Sequence, residues 1–370
     1  MVKNIYFFYL FLLNALINLV NYVPRILIHD RYNGAVLSVI ISIPVGLLLL
    51  YLFAKMIGSF PQQGLPEIIN SGLPRWFGKL LLLLLGCIWF MSSVITLVGF
   101  VDITIRYISP DVSPFVVLAG FLIVVGVSAR LDSESILYGL EIVLYMTVPL
   151  IIYMVWRVFN SPYFEWDAVR QIFTYLWTMP RYQTVAGATF IFTGYINMVI
   201  FNRVFKKVRI RHIWLFFIVG LFTLVVSMFA PIGFLGAEGS GNPVYPAFST
   251  VDSLRIRYFI IDRMIYVFYV VYMCLSLMNS IIHWHVSKEL IMGAFQLSTS
   301  SPSGKRMRKE RRIEWGILGV FSALVYACTV FADQFIMDSL AVTFLNIRFA
   351  GEFAVLGLMF YFLRKRRRRV

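Results

Sequence analysis

Ten stretches of this chain are apolar for long enough to carry a helix across a bilayer: 5–28, 35–56, 80–107, 114–130, 135–158, 183–204, 212–235, 258–281, 313–331 and 344–363. A hydrocarbon core about 30 Å thick takes about 20 helical residues at about 1.5 Å each. The pattern therefore predicts an all-α integral membrane protein with about ten transmembrane helices, the fourth of them short. Between the stretches only short polar segments remain. Residues 1–370 are accordingly expected to form a single polytopic membrane domain that ends in a basic tail, 364–370.

Composition strengthens this reading. Hydrophobic residues make up 60% of the chain and charged residues 14%, against roughly 45–50% and 25% in soluble domains. The first stretch is longer than the apolar region of a signal peptide and lacks a small-residue cleavage pattern, so it is expected to be a retained span. A net charge of +15 would point to nucleic acid if the basic residues were scattered, but they sort by loop. With the N-terminus inside, about 23 of the 33 lysines and arginines fall on the cytoplasmic side, as the positive-inside rule requires. An even number of spans then returns the C-terminus to the cytoplasm.

The longest inner loop runs from Leu297 to Arg312. Its Ser- and Pro-rich opening predicts a flexible stretch, followed by Lys305, Arg306, Arg308, Lys309, Arg311 and Arg312. The tail, Arg364 to Arg369, directly follows a span. Such clusters attract anionic lipid headgroups at about 1 kcal/mol per residue; a protein docking site is the alternative, and no nucleic acid is expected. Of the outer loops, Asn160 to Arg181 carries Trp166, Tyr175 and Trp177, which suits an interfacial helix. Gly236 to Arg257 is Gly-, Ser- and Pro-rich and predicts mostly turn, without the Gly-Lys-Ser/Thr ending of a phosphate-binding loop.

No enzymatic constellation is present. The sequence holds neither HExxH nor GxSxG, and no buried pair of carboxylates. Cys87, Cys274 and Cys328 lie in apolar stretches and give no disulfide framework or zinc spacing. His283 and His285 stand without a supporting carboxylate or thiol. Neither cofactor nor metal is expected.

Chemistry in such a chain lies in polar groups within spans, where each is costly unless it lines a cavity or meets a partner. Span one carries Asn14, Asn18 and Asn21 on one helix face, and Pro24 should disturb the helix near Val20 and Asn21. Span six has Gly187, then Thr193-Gly194-Tyr195 and Asn197 near its middle. Glycines in membrane helices often serve only close packing. Interrupted helices at corresponding places in two halves, however, mark a midplane binding site in transporters built from inverted repeats. Exposed helix N-termini there suit a carboxylate, so an amino acid is the expected ligand. Asp102 and Arg106, Asp262 and Arg263, and Arg348 and Glu352 read as local pairs. Glu141 has no basic residue within a turn and must be protonated, snorkel or find a partner such as Arg130.

Several short motifs carry a resemblance. Leu65-Pro66-Glu67-Ile68-Ile69, then Gly78-Lys79-Leu80, Arg130 with Glu134 and Glu141, Tyr245-Pro246 and Asp262-Arg263 resemble the B subunit of spore nutrient germinant receptors. That family is a branch of the amino acid/polyamine/organocation permease superfamily, and the resemblance covers essentially the whole chain. It implies a leucine-transporter-like fold, a 5+5 inverted repeat with spans one and six interrupted. It also implies a complex with an A-type membrane subunit and a C-type lipoprotein in the inner membrane of a spore, triggering germination when a small nutrient binds. By position, the ligand would be lined by Asn18, Asn21 and Tyr22, by Ser92, Ser93 and Thr96, by Thr193, Gly194 and Tyr195, and by Tyr272 and Ser276. An ion-coupled amino acid transporter is the runner-up, and a scaffold without a ligand the third reading.

Overall fold

A computed structural model of the chain describes residues 1–210, 212–258, 261–296 and 304–367. The expected Ser-rich stretch at 297–303, the last arginines of the tail and the side chain of Asp262 lie outside the described residues. The regular structure among the described residues is helical, apart from a two-stranded hairpin pairing Arg255–Tyr258 with Ile261–Arg263 and an isolated bridge between Val2 and Phe205. Eight helices, or nine spans counting one bent pair, are long and apolar enough to cross a membrane. The shorter apolar helix Pro114–Ser128 takes the place of the fourth expected span.

Span one is broken where its asparagines are. Ile5–Ile17 ends with Asn18 as its C-cap, and the chain restarts as Tyr22–His29 behind an extended Asn21, bent by 54°. Pro24 sits in the first turn of the second half, where a missing N–H removes no helical bond. Span two is Ala35–Ile57, span three Arg75–Ile103 with a π-helical extension Thr104–Ile108, span five Ser133–Phe159 and span seven Ile213–Leu235. Span eight starts at Met264 and runs on to Ala294, past the expected end, because the hairpin holds the residues before it and polar residues continue the helix. Spans nine and ten, Gly304–Phe331 and Gln334–Arg367, are likewise longer than their apolar cores.

Span six departs from expectation. It is not opened into extended chain. The α-helix Tyr182–Thr189 tightens into a 3-10 helix over Phe190–Asn197, then continues as Met198–Phe201 and Asn202–Val204. No proline is present to break it. Gly194 is instead pressed on span one, where a Cβ would lie against the Leu10 carbonyl and 2.7 Å from Phe11 Cα.

Both loops expected on the outer side contain helices. Trp166–Phe173 is a helix within the stretch expected to hold an interfacial one. Pro246–Ser253 is a helix where turn was expected, since a proline at the first helical position is already set for helix.

Charged ties close the bundle at both ends. At the end carrying the termini, Arg203 bridges Glu67 of the short helix Leu65–Gly72 at 2.7 Å and Glu289 of span eight at 2.6 Å. Lys288, fully buried, donates to Glu314 at 2.8 Å and to the Ala129 carbonyl. Arg130 also meets Glu314, at 3.4 Å, and lies over the Trp315 ring, so the partner of Glu141 is the Tyr6 hydroxyl and not Arg130. At the opposite end Asp30, wholly buried, takes hydrogen bonds from Thr184 and Arg181 at the start of span six. Its negative charge faces the positive end of that helix, where it is stabilising. Gly34, at φ +84°, follows where a Cβ would strike the Met179 carbonyl at 2.6 Å.

Gly194→Val is expected to lower stability by about 1–3 kcal/mol, the usual cost of overpacking, read from denaturant unfolding in detergent. Gly357→Ala, which meets only open space, should cost nothing. Equal behaviour of the two would show that spans one and six do not depend on this contact.

Candidate functional site

Two adjoining cavities lie against the break in span one and the 3-10 segment of span six. The larger, with about 40 Å³ of free space, lies between Asn14, Trp89, Ser92, Thr193, Asn197, His283, Arg348 and Glu352. The second, about 20 Å³, is lined by Asn18, Asn21, Tyr22, Ser92, Thr96 and Asn279 among others. Asn14, Ser92, Phe190 and Phe344 border both. Tyr22 also borders a third space of about 220 Å³, lined by Asp102, Tyr245 and Asp333, and so stands between the second cavity and that end of the bundle.

Hydrogen bonds explain why the walls hold their shape. A 3-10 turn leaves carbonyls that its own helix does not satisfy well, and inside an apolar slab these must find donors. The Asn14 amide donates to the Phe190 carbonyl at 2.6 Å and to that of Ile191 at 3.2 Å. Asn18 donates to the Asn14 carbonyl at 2.8 Å, and its own side-chain oxygen, buried, has no partner. Tyr272 of span eight donates to Asn21 Oδ1 at 2.6 Å. From span three, Trp89 donates to Asn197 Oδ1 at 2.8 Å; from span eight, Asn279 donates to Thr96 Oγ1 at 3.3 Å. The asparagine face of span one thus ties the break to spans six and eight.

Span ten supplies the only charges among the residues lining the larger cavity. Arg348 and Glu352 are a local pair, at 2.6 Å, and are 5% and 2% exposed. They are also more than that. Arg348 donates to Thr193 Oγ1 at 2.6 Å and to the Ala186 carbonyl, and lies 4.8 Å above the Phe190 ring. Glu352 accepts from Thr193 at 2.7 Å and from the Tyr195 hydroxyl at 3.3 Å. Arg348 Nε is buried without a partner.

Of the expected site residues, Asn18, Asn21, Tyr22, Ser92, Thr96 and Thr193 line these two cavities. Ser93, Gly194, Tyr195, Tyr272 and Ser276 do not; all are buried behind the walls. Gly194 serves the contact with span one, and Tyr195 and Tyr272 hold Glu352 and Asn21. Ser93 and Ser276 are packed with hydroxyls that have no partner. Asn14, Trp89, Asn197, Asn279, His283, Arg348 and Glu352 were not among the expected site residues. For Arg348 and Glu352 the signal was available, since an ionisable residue within a span is a functional candidate by default; their i,i+4 spacing hid it.

Comparison with known proteins gives the family and the fold. Residues 6–302 match the family described as spore germination protein, a family of spore permeases. No curated protein matches. Among solved structures, the chain resembles a nucleobase-cation-symport-1 family transporter in a closed conformation with bromovinylhydantoin bound. The TM-score is 0.59 at 14% identity, over 100% of this chain and 80% of that one. The fold is therefore the all-α, leucine-transporter-like one that the sequence resemblance implied.

Removing one member of a buried ion pair strands the other charge, which costs about 3–5 kcal/mol. Glu352→Ala should be destabilised by that order in denaturant unfolding, and Arg348→Met/Glu352→Leu by less than either single change. Additive losses would mean that the two side chains do not stabilise one another.

Proposed function

Because the chain belongs to the spore germination protein family, a group of multi-pass membrane proteins with a transporter-like fold, we propose that it is the nutrient-binding membrane subunit of a germinant receptor. A small nutrient, an amino acid, binds in the paired cavities between spans one, three, six and ten, midway across the bilayer. The observation that carries this reading is the buried polar lining. Asn14, Asn18, Thr193, Arg348 and Glu352 sit within spans, where such groups are expensive and mark ligand paths. Uncharged donors and acceptors beside a cation and a carboxylate suit a zwitterion.

Binding would act by shifting two packings of the bundle, and only as far as the ligand prefers one of them; moving a 1:99 equilibrium to 99:1 needs about 10⁴-fold preference. An A-type membrane subunit and a C-type lipoprotein would read that shift in the inner membrane of the spore, with both termini of this chain on the cytoplasmic side. The basic loop and tail would rest on anionic lipid. Lys365 and Arg366 are already anchored on the Gly72 and Ser59 carbonyls, which holds the start of the tail against the bundle.

A second reading, an ion-coupled amino acid transporter, is favoured by one observation: Glu352 places a carboxylate beside the cavity where a coupling proton could reside. Uptake of labelled amino acid into vesicles by the purified protein separates the two. Uptake supports transport, and binding without uptake supports sensing.

The direct test is thermal stabilisation of the purified protein by amino acids, sugars and nucleosides. A ligand at a hundred times its Kd adds about 2.7 kcal/mol to the folded state. The stabilisation should vanish in Ser92→Leu, which fills the junction of the two cavities. A hit that survives this change would place the ligand elsewhere.

A further inference from the structure

Glu352 is held by groups that would equally hold a ligand's carboxylate. Its two oxygens accept from a guanidinium, a threonine hydroxyl and a tyrosine hydroxyl, at 2.6, 2.7 and 3.3 Å. This constellation borders the larger cavity and is almost wholly shielded from solvent. The guanidinium keeps one buried N–H, on Nε, without an acceptor. A buried donor left unmade is costly, and here it lies on a side chain that lines the space a ligand would enter.

We propose that Glu352 is a built-in stand-in for the ligand's anionic group: a carboxylate entering the cavity displaces it from Arg348 and Thr193, and the released Glu352 takes one proton from solvent. The inference rests on the cavity being the ligand site. Its physical basis is charge balance. One buried guanidinium neutralises one carboxylate; a second, left uncompensated in the same low-dielectric space, costs several kcal/mol unless it becomes neutral. Binding of an anion is then accompanied by uptake of a proton, and the charge of the cavity is unchanged.

Among the described residues, the other groups able to influence that proton are few. Arg348 is on the same helix, Tyr195 comes from span six, and His283 of span eight lines the cavity. Spans one and three contribute only uncharged residues, Asn14, Leu85, Ile88, Trp89 and Ser92, to its wall. Span two, which packs on span ten, keeps Tyr51 and Lys55 exposed.

The test uses the purified full chain, wild type and Glu352→Gln, with sodium acetate as the anion and acetamide as its neutral counterpart. Glutamine keeps the shape but leaves Arg348 without a counter-charge. Acetate, and not acetamide, should raise the melting temperature of the variant, at concentrations about tenfold lower than the wild type requires. Calorimetry in buffers of different ionisation enthalpy should show one proton taken up per acetate by the wild type and none by the variant. If the variant folds poorly, its recovery on extraction in acetate but not in acetamide is the same readout. Indifference of the variant to acetate, or acetate binding by the wild type without proton uptake, overturns the exchange. A sugar or nucleoside that binds and is blocked by Ser92→Leu, with acetate inert on the variant, overturns the exchange and leaves the cavity as the nutrient site. An acetate response with no nutrient bound does the reverse.

Discussion

The amide of Asn14 donates to two carbonyls of span six at the point where that helix tightens into a 3-10 turn. Within a bilayer a freed backbone carbonyl has no water to turn to, so the irregular stretch exists only because span one supplies this donor and span ten supplies another, from Arg348 to the Ala186 carbonyl. The same dependence runs the other way. The break after Ile17 is held by Asn18 folding back on the Asn14 carbonyl and by Tyr272 reaching Asn21 from span eight. Two irregular helices are thus each other's support, and the space between them is polar because the supporting groups are.

This arrangement explains the uneven character of the bundle. At the end carrying the termini, Arg203, Glu289, Lys288 and Glu314 tie spans six, eight and nine with buried charges, while Asp30 fixes the start of span six at the other end. Between those clamps the ties are mostly neutral hydrogen bonds, individually worth only about 0.5–1.5 kcal/mol net. The two packings of the proposed function would need the middle of the bundle to rearrange while its ends remain specific. Neutral amides and hydroxyls exchange partners at low cost, whereas a buried ion pair does not. Arg348 and Glu352 are the exception in the middle, which is why an exchange of anions there would be felt across spans six and ten.

Much of the site was legible in the chain. The spacing of Asn14, Asn18 and Asn21 with Pro24 announced a break in span one, and it falls where expected. The Thr193-Gly194-Tyr195 sequence announced an irregularity in span six, although its form, a 3-10 helix packed on Leu10, was not readable from a lone glycine. Arg348 and Glu352 were misjudged in their reach. Four residues apart on one helix, they satisfy the pattern of a self-contained pair, and nothing in the spacing says which way that helix face points.

The sequence by itself determined that this is a multi-pass membrane protein and where span one yields, because length of apolar run and proline position act locally along the chain. It also sufficed for the family and, through that, the class of fold. The tertiary structure alone decided which polar groups share a wall. Trp89 with Asn197, Tyr272 with Asn21, Tyr6 with Glu141, and Arg348 with Thr193 are each separated by more than a hundred residues. Their meeting depends on the rotation of each helix about its own axis, and that is set by how the helices pack together.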